Sequence, residues 1–106
     1  MADEVTIEQA RQAQAQGSLV VDVREAEEYA AGHVPGALSL PLGELTARRG
    51  ELPQDQAVYL ICQSGGRSGK AADLLGAAGY DARSVAGGTT AWVAAGGAVT
   101  TGPARG

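Results

Sequence analysis

Two short runs of apolar residues limit the fold of this chain more than any other feature of its sequence. Residues 19–23 read LVVDV, and residues 57–61 read AVYLI. Neither run alternates apolar with polar residues, so both predict strands buried on two faces, as in parallel sheets covered by helices. The chain has no Phe and one Trp, so its core depends on aliphatic side chains from such strands.

The segments around these two runs alternate between strand and helix patterns. Residues 37–40 and 82–85 predict two further strands, and Thr6 with Gln9 forms a capping-box pattern before the first helix. Strands that alternate with helices through short Gly-rich loops indicate βαβ units and a mostly parallel sheet. The predicted helices cover residues 7–16, 25–31, 44–49, 71–78 and 89–95.

Length, charge and cysteine content narrow the class of protein. The chain of 106 residues has room for one domain over residues 1–106, and we expect a core at 6–101 and a frayed tail at 102–106. The longest hydrophobic run, residues 57–62, is far too short for a membrane span. The net charge of −4 argues against nucleic-acid binding, and the single cysteine suits a reducing compartment. We find no signal peptide and expect a cytoplasmic protein that binds neither nucleic acid nor membrane.

The single cysteine, Cys62, ends the second apolar run and precedes a Gly-rich loop and a helix start. Gly65 and Gly66 allow backbone N–H groups to converge on one point, while Arg67 and the helix N-terminus add positive charge. These features favour the thiolate and predict a lowered pKa for Cys62. A buried structural cysteine is the alternative. We favour a reactive thiol because Cys62 lies at the end of its strand, beside an electropositive loop.

Three other polar residues are candidates for supporting roles. Asp22 and Arg24 leave a buried strand at its carboxyl end, where ligands bind in parallel sheets. We interpret Arg24 as half of a local ion pair that closes the turn into the next helix. Asp22 is equally consistent with that pair and with hydrogen-bonded support of the cysteine loop. His33 lies in a Pro-Gly turn, and we favour a structural role over the alternative, a catalytic pair with Cys62. One Cys with one His is too few ligands for a metal site.

Three glycines in the second half of the chain lead to two further predictions. Gly76 falls inside a predicted helix, where glycine costs about 1 kcal/mol relative to Ala. We attribute its presence to close contact between the helix and the sheet. Gly87 and Gly88 predict a tight turn into the last helix, whose Trp92 is expected to pack near the rim of the site.

Four short motifs follow one another along the chain. They are VDVR at residues 21–24 with Glu27 and Tyr29, GHVPGA at 32–37, YLIC at 59–62 followed by Gly65, Arg67 and Ser68, and Gly87-Gly88 with Trp92. Together and in this order they resemble the motifs of the single-domain rhodanese family, of the thiosulfate sulfurtransferase type. The resemblance covers about residues 6–101. It implies an α/β fold with three layers, in which helices flank a central, mainly parallel five-stranded sheet.

The resemblance also implies an activity, the transfer of sulfane sulfur. Cys62 would attack the outer sulfur of thiosulfate or of a persulfide donor and become a persulfide. That sulfur would then pass to a thiophilic acceptor such as cyanide or a thiol. No cofactor is implied, because Cys62 itself carries the sulfur. The implied substrate-binding loop consists of Gln63, Ser64, Gly65, Gly66, Arg67 and Ser68.

The length of this loop separates sulfur transfer from two other cysteine chemistries. Related cysteine phosphatases place five residues between Cys and Arg, whereas four residues separate Cys62 from Arg67. The smaller loop resembles the sulfur-handling version. The absence of a second cysteine argues further against a disulfide-forming arsenate reductase.

The charge of the loop does not decide whether thiosulfate or a persulfide is the sulfur donor. Family members that use thiosulfate often carry a second basic residue there, but Gln63 and Ser64 are neutral and Arg67 is the only charge. Thiosulfate would then be a poor surrogate for a protein or low-molecular-weight persulfide. The alternative function is a persulfide carrier or docking module, loaded by a sulfur-relay protein with little turnover of free donors. Ten of the twelve acidic residues lie in the first 56 and offer a docking face.

Overall fold

The computed structural model describes residues 3–105, in which five strands and five α-helices follow one another. The strands are β1 (Asp3–Val5), β2 (Leu19–Asp22), β3 (Leu38–Ser39), β4 (Val58–Ile61) and β5 (Ala82–Val85). The helices are α1 (Ile7–Ala15), α2 (Ala26–Ala31), α3 (Leu45–Arg48), α4 (Gly66–Ala77) and α5 (Gly88–Ala94). Two 3-10 turns, Leu42–Glu44 and Arg49–Glu51, flank α3.

The five strands form one sheet in the order β1-β5-β4-β2-β3, and every neighbouring pair is parallel. Strand β4 lies at the centre of the sheet, and all four of its residues are buried. Its position explains why the sequence of β4 is apolar throughout, since both faces of a central parallel strand are covered. The predicted α/β fold with a five-stranded sheet is confirmed, and the sheet is parallel in full.

Helices cover both faces of the sheet and divide the core into two layers. Alternate residues of a strand point to opposite faces, so Val21 and Leu60 pack in one layer, and Val20 and Tyr59 in the other. Helices α3 and α4 contribute Leu45, Ala71, Ala72 and Leu75 to the first layer. Helices α1, α2 and α5 contribute Ile7, Ala10, Tyr29 and Trp92 to the second. Trp92 is therefore a core residue.

Strand β1 is the element that the sequence pattern missed. Asp3 and Glu4 are exposed and Val5 is half-buried, so this segment lacks the apolar run that marks a strand in a parallel sheet. It pairs with β5 at the edge of the sheet, where Asp3 lies beside Arg83. Backbone hydrogen bonds, which leave no trace in the sequence, hold this strand in place.

The last residues of the described chain lie against an earlier turn. The N–H of Gly36 donates to the carbonyl of Arg105 over 2.7 Å, and the guanidinium of Arg105 donates Nη2 to the carbonyl of Gly36 over 3.0 Å. These bonds join Arg105 to the turn at Gly36, and the fraying of residues 102–106 stays a prediction. Gly106, the last residue of the expected tail, lies outside the described residues.

Helix α4 has twelve residues, and Gly76 lies near its end. A Cβ added at Gly76 would meet no atom within 4 Å beyond its own helix, and the residue is exposed. The expectation that close contact with the sheet explains Gly76 is therefore wrong.

No helix in the described part of the chain combines the length and the apolar character needed to cross a membrane.

Candidate functional site

Cys62 lies at the carboxyl edge of the sheet, beyond the central strand. Strand β4 ends at Ile61, which pairs with Asp22 at the end of β2, while β5 lies on the other side. The chain then turns at once into α4, which begins at Gly66. Residues that follow three neighbouring strands therefore meet around Cys62, at the edge where parallel sheets bind ligands.

The Cys62 thiol is buried inside a tight loop. Only 1% of the residue is exposed. The N–H of Gly65 donates to Sγ over 3.0 Å, and Oγ of Ser68 lies 3.5 Å from Sγ. Gly65 has φ +117°, a left-handed conformation that favours glycine. The curl of the loop around the sulfur thus depends on this glycine.

Two opposing effects set the pKa of Cys62. Burial raises it, because a thiolate inside the loop loses its hydration. Hydrogen bonds from the Ser68 hydroxyl and from the N–H groups of Ser68, Gly65 and Ser64 lower it. The hydrogen bonds outweigh burial, so the pKa of Cys62 lies below that of an ordinary cysteine. This direction agrees with the one predicted from the loop sequence.

A pair of buried hydroxyl groups lies next to the thiol. Oγ of Ser68 is 2.8 Å from Oγ of Ser84, and it donates to the carbonyl of Gly65 over 3.1 Å. A hydroxyl has one proton, so Ser68 donates to only one of its neighbours at a time, and either serine can be the donor between Ser68 and Ser84. Sequence reasoning missed Ser84, which lies 16 residues beyond Ser68 in β5 and has no local motif.

Helix α5 holds the backbone of the cysteine loop from outside. The N–H and the hydroxyl of Thr89 donate to the carbonyl of Cys62 over 2.8 and 3.0 Å. The N–H of Thr90 donates to the carbonyl of Gln63 over 3.1 Å. A Cβ on Gly88 would collide with both carbonyl oxygens, so this close approach requires glycine. The predicted Gly-Gly turn therefore fixes the orientation of the loop.

Asp22 and Arg24 form a buried ion pair that reaches the loop. Nε and Nη2 of Arg24 donate to the Asp22 carboxylate over 3.0 and 2.8 Å. The two side chains, Arg24 and Asp22, are 4% and 0% exposed. Nη1 of Arg24 donates to Oε1 of Gln63 over 3.1 Å. Arg24 thus closes the turn, as interpreted from the sequence, and also contacts the loop, while Asp22 reaches the loop through Arg24.

Arg67, the one charged residue of the loop, is paired with a carboxylate that sequence reasoning did not single out. Its Nη1 and Nη2 donate to Oε1 and Oε2 of Glu28 over 2.7 and 2.9 Å. The hydrogen bond from Arg67 is the main cause that lowers the pKa of Glu28 to about 2. The hydrogen bond to Glu28 likewise raises the pKa of Arg67, and the charge of Cys62 adds to that rise. The guanidinium therefore lies within electrostatic reach of the thiolate.

The remaining loop side chains are neutral and lie at the surface. Gln63, Ser64 and Gly66 are exposed. Nε2 of Gln63 donates to Oγ1 of Thr90 over 2.8 Å, while its Oε1 accepts from Arg24. Gln63 therefore connects Thr90 of α5 to Arg24 of the buried ion pair.

His33 has a setting that agrees with a structural role. It is fully buried, and its ring stacks on Tyr29 with centroids 3.6 Å apart. Nδ1 of His33 lies 2.8 Å from the Tyr29 carbonyl, which makes Nδ1 the protonated nitrogen. The backbones of His33 and Thr100 also pair.

The fold and the loop define an α/β domain in which a buried thiol, ringed by backbone N–H groups, lies beyond the central parallel strand. The chain belongs to the rhodanese-like domain family, whose model matches residues 6–95. A protein of Allochromatium vinosum named "Sulfurtransferase" is 39% identical over 83 residues, which are 77% of this chain and 78% of that protein. A Bacillus subtilis protein named "Putative sulfur carrier protein YrkF" is 44% identical over 61 residues, 58% of this chain and 33% of that protein.

Solved structures agree with this family. The crystal structure of a rhodanese-related protein from Thermoplasma volcanium has a TM-score of 0.86 and 26% identity, covering 92% of this chain and 97% of that chain. The match to this chain spans only 33% and 44% of two curated relatives from Bacillus subtilis. The family predicted from the four sequence motifs is confirmed.

Proposed function

We propose that the protein is a sulfurtransferase in which Cys62 carries the transferred sulfur as a persulfide. The observation that carries this proposal is the hydrogen bond of 3.0 Å from the Gly65 N–H to Sγ, inside a loop that lowers the pKa of the thiol. The thiolate is the nucleophilic form of cysteine. Membership of the rhodanese-like family and the name of the Allochromatium vinosum relative support the same activity.

The first half-reaction loads sulfur onto the protein. The Cys62 thiolate attacks the outer sulfur of thiosulfate, and a new S–S bond forms. The S–S bond of the donor breaks, and sulfite leaves with its electron pair. Donor and thiolate together carry three negative charges, as do the persulfide anion and sulfite, so the step balances. The N–H groups of the loop, including that of Gly65, stabilise the charge of the persulfide.

The second half-reaction returns the thiolate. Cyanide or a thiol attacks the terminal sulfur of the persulfide and leaves as thiocyanate or as a new persulfide, while the electrons of the broken S–S bond stay on Cys62. The hydrogen bonds that lower the pKa of Cys62 favour its thiolate without a general base, which is consistent with the structural setting of His33. Sulfur transfer also fits the four-residue spacing between Cys62 and Arg67 better than phosphate chemistry does.

The proposal is tested by following sulfur on the intact protein. Reduced wild type and Cys62→Ser are incubated with thiosulfate without oxygen, and their masses are recorded. We expect one added sulfur atom in the wild type alone, removed by cyanide with release of thiocyanate. Sulfur on Cys62→Ser, or none on the wild type with either thiosulfate or an alkyl persulfide, would contradict the proposal.

A second candidate is a sulfur carrier loaded by a partner protein in the cytoplasm. The name of the Bacillus subtilis relative favours it, although this chain spans only 33% of that protein. A carrier would accept sulfur quickly from a protein persulfide and turn over free thiosulfate slowly. Loading rates with a cysteine desulfurase, compared with steady-state turnover of thiosulfate, separate the two functions. Comparable rates with both donors would favour the enzyme.

A further inference from the structure

The ion pair between Arg67 and Glu28 includes the one charged residue of the cysteine loop. Arg67 is 37% exposed and Glu28 35% exposed, so neither side chain belongs to the core. Both terminal nitrogens of Arg67 nevertheless bind the two oxygens of one carboxylate, over 2.7 and 2.9 Å. In this fork geometry the cation has already used its best anion-binding edge. A donor anion would have to share that edge with Glu28.

The charges around the thiol cancel in pairs. The buried carboxylate of Asp22 neutralises Arg24, and Glu28 neutralises Arg67. Both pairs adjoin the cysteine loop, because Arg24 donates to Gln63 and Arg67 is itself a residue of the loop. With the pKa of Glu28 lowered to about 2, this carboxylate is ionised at every pH near neutrality. The four charges sum to zero before the Cys62 thiolate adds its own negative charge.

Such a site treats sulfur donors differently according to their charge. Thiosulfate has two negative charges, and its leaving group, sulfite, retains both beside the new persulfide. A persulfide donor, R–S–SH, reacts as Cys–S⁻ + R–S–SH → Cys–S–SH + R–S⁻, in which atoms and charge balance with one negative charge throughout. A nearby carboxylate therefore opposes the transfer from thiosulfate more strongly than the transfer from an alkyl persulfide.

We propose that Glu28 is a specificity-determining residue that disfavours doubly charged donors, so that the site prefers persulfides over thiosulfate. This proposal rests on the proposed sulfurtransferase function. Glu28 acts by occupying Arg67 and by adding a fixed negative charge at the mouth of the loop. Removal of its charge while its shape is kept would leave Arg67 free to bind the oxygens of thiosulfate.

The test compares two donors that differ by one charge. Methanethiosulfonate has the structure of thiosulfate with a methyl group in place of one charged oxygen, and it reacts at the same kind of S–S bond. Thiocyanate release with saturating cyanide gives kcat/KM for each donor in wild type, Glu28→Gln and the matched control Glu27→Gln. Glu27 is an exposed neighbour on the same helix, and its substitution removes the same formal charge.

We expect Glu28→Gln to raise the ratio of kcat/KM for thiosulfate over methanethiosulfonate by about tenfold, an effect that one charge near a protein surface can have. Glu27→Gln should change the ratio by less than about twofold, because solvent and salt screen an exposed charge. If both donors work and Glu28→Gln leaves the ratio unchanged, or Glu27→Gln raises it equally, the role of Glu28 is overturned while sulfur transfer stands. If neither donor nor an alkyl persulfide loads Cys62 in any variant, the proposed function itself fails.

Discussion

Two ion pairs flank the cysteine loop, and they are built from the same chemical groups in different surroundings. Arg24 and Asp22 are 4% and 0% exposed and lie two residues apart. Arg67 and Glu28 are 37% and 35% exposed and lie 39 residues apart. In each pair a guanidinium binds a carboxylate through two nitrogens. Burial and distance along the chain, not bonding, distinguish them.

This difference assigns the two pairs to different tasks. Breaking a buried pair leaves a charge without water or partner, which costs about 3–5 kcal/mol, whereas an exposed pair contributes about 0–1 kcal/mol. The pair of Asp22 and Arg24 therefore belongs to the fold and holds Gln63 in place. The pair of Glu28 and Arg67 is weakly coupled to stability, so it is free to adjust the charge that a substrate meets.

The largest expected effect comes from breaking the buried pair. Arg24→Ala leaves the Asp22 carboxylate buried without its guanidinium, and we expect the free energy of unfolding to fall by about 3–5 kcal/mol in urea denaturation. Arg48→Ala is the matched control, because Arg48 pairs with Glu44 and Glu51 at the surface. It should cost no more than about 1 kcal/mol. Equal losses in the two variants would remove the distinction.

Breaking the exposed pair should lower the activity strongly and the stability only slightly. Arg67→Ala leaves Glu28 unpaired at the loop, and we expect kcat/KM for thiosulfate to fall about tenfold or more. The free energy of unfolding should change by no more than about 1 kcal/mol. Adding Glu28→Gln to Arg67→Ala should recover part of the loss in kcat/KM. A double variant that is slower than Arg67→Ala would contradict this account of the charges.

A substitution at Gly76, far from both ion pairs, tests a change in stability that does not involve the site. Gly76→Ala places a methyl group where nothing lies within 4 Å beyond the helix, so it should stabilise the protein by about 0.5–1 kcal/mol. Thermal unfolding measures the gain, and sulfur transfer should be unchanged. Destabilisation would show that the end of α4 is more crowded than described.

The smallest effect is the pH dependence of the exposed pair. The pKa of Glu28 is lowered from 4.5 to about 2 in the folded protein, so its contribution to stability is complete above pH 4.5. That contribution is lost as the pH falls from 4.5 towards 2, because the unfolded chain then binds the proton more readily. Wild type should therefore lose slightly more stability than Glu28→Gln over this range in urea titrations. Parallel curves would show that the pair contributes nothing.

Local signals made much of this molecule predictable. The apolar run of β4 indicated a buried strand, the capping box at Thr6 and Gln9 is present, and the four motifs placed Cys62 in a Gly-rich loop. In each case the residues that act together are close in sequence. The fold family followed from the order of the motifs.

The missed features depend on contacts between distant residues. Ser84 reaches Ser68 because β5 lies beside β4, and Glu28 reaches Arg67 because α2 lies beside the start of α4. Ser84 is part of no short motif, and Glu28 belongs to the capping box of α2, which gives no sign of Arg67. The prediction for Gly76 was wrong for another reason. A glycine inside a helix suggests close contact with a neighbouring element, but Gly76 faces open space.

The edges of the sheet have a consequence for how the chain behaves in a crowded solution. Edge strands offer free backbone groups to other molecules, and short or charged edges discourage such pairing. Strand β3 has two residues, and β1 has three, of which Asp3 and Glu4 are exposed carboxylates. Without β1, the longer strand β5 would become an edge, and chains could join strand to strand into aggregates. Three residues with no part in sulfur chemistry thus cover the edge of β5.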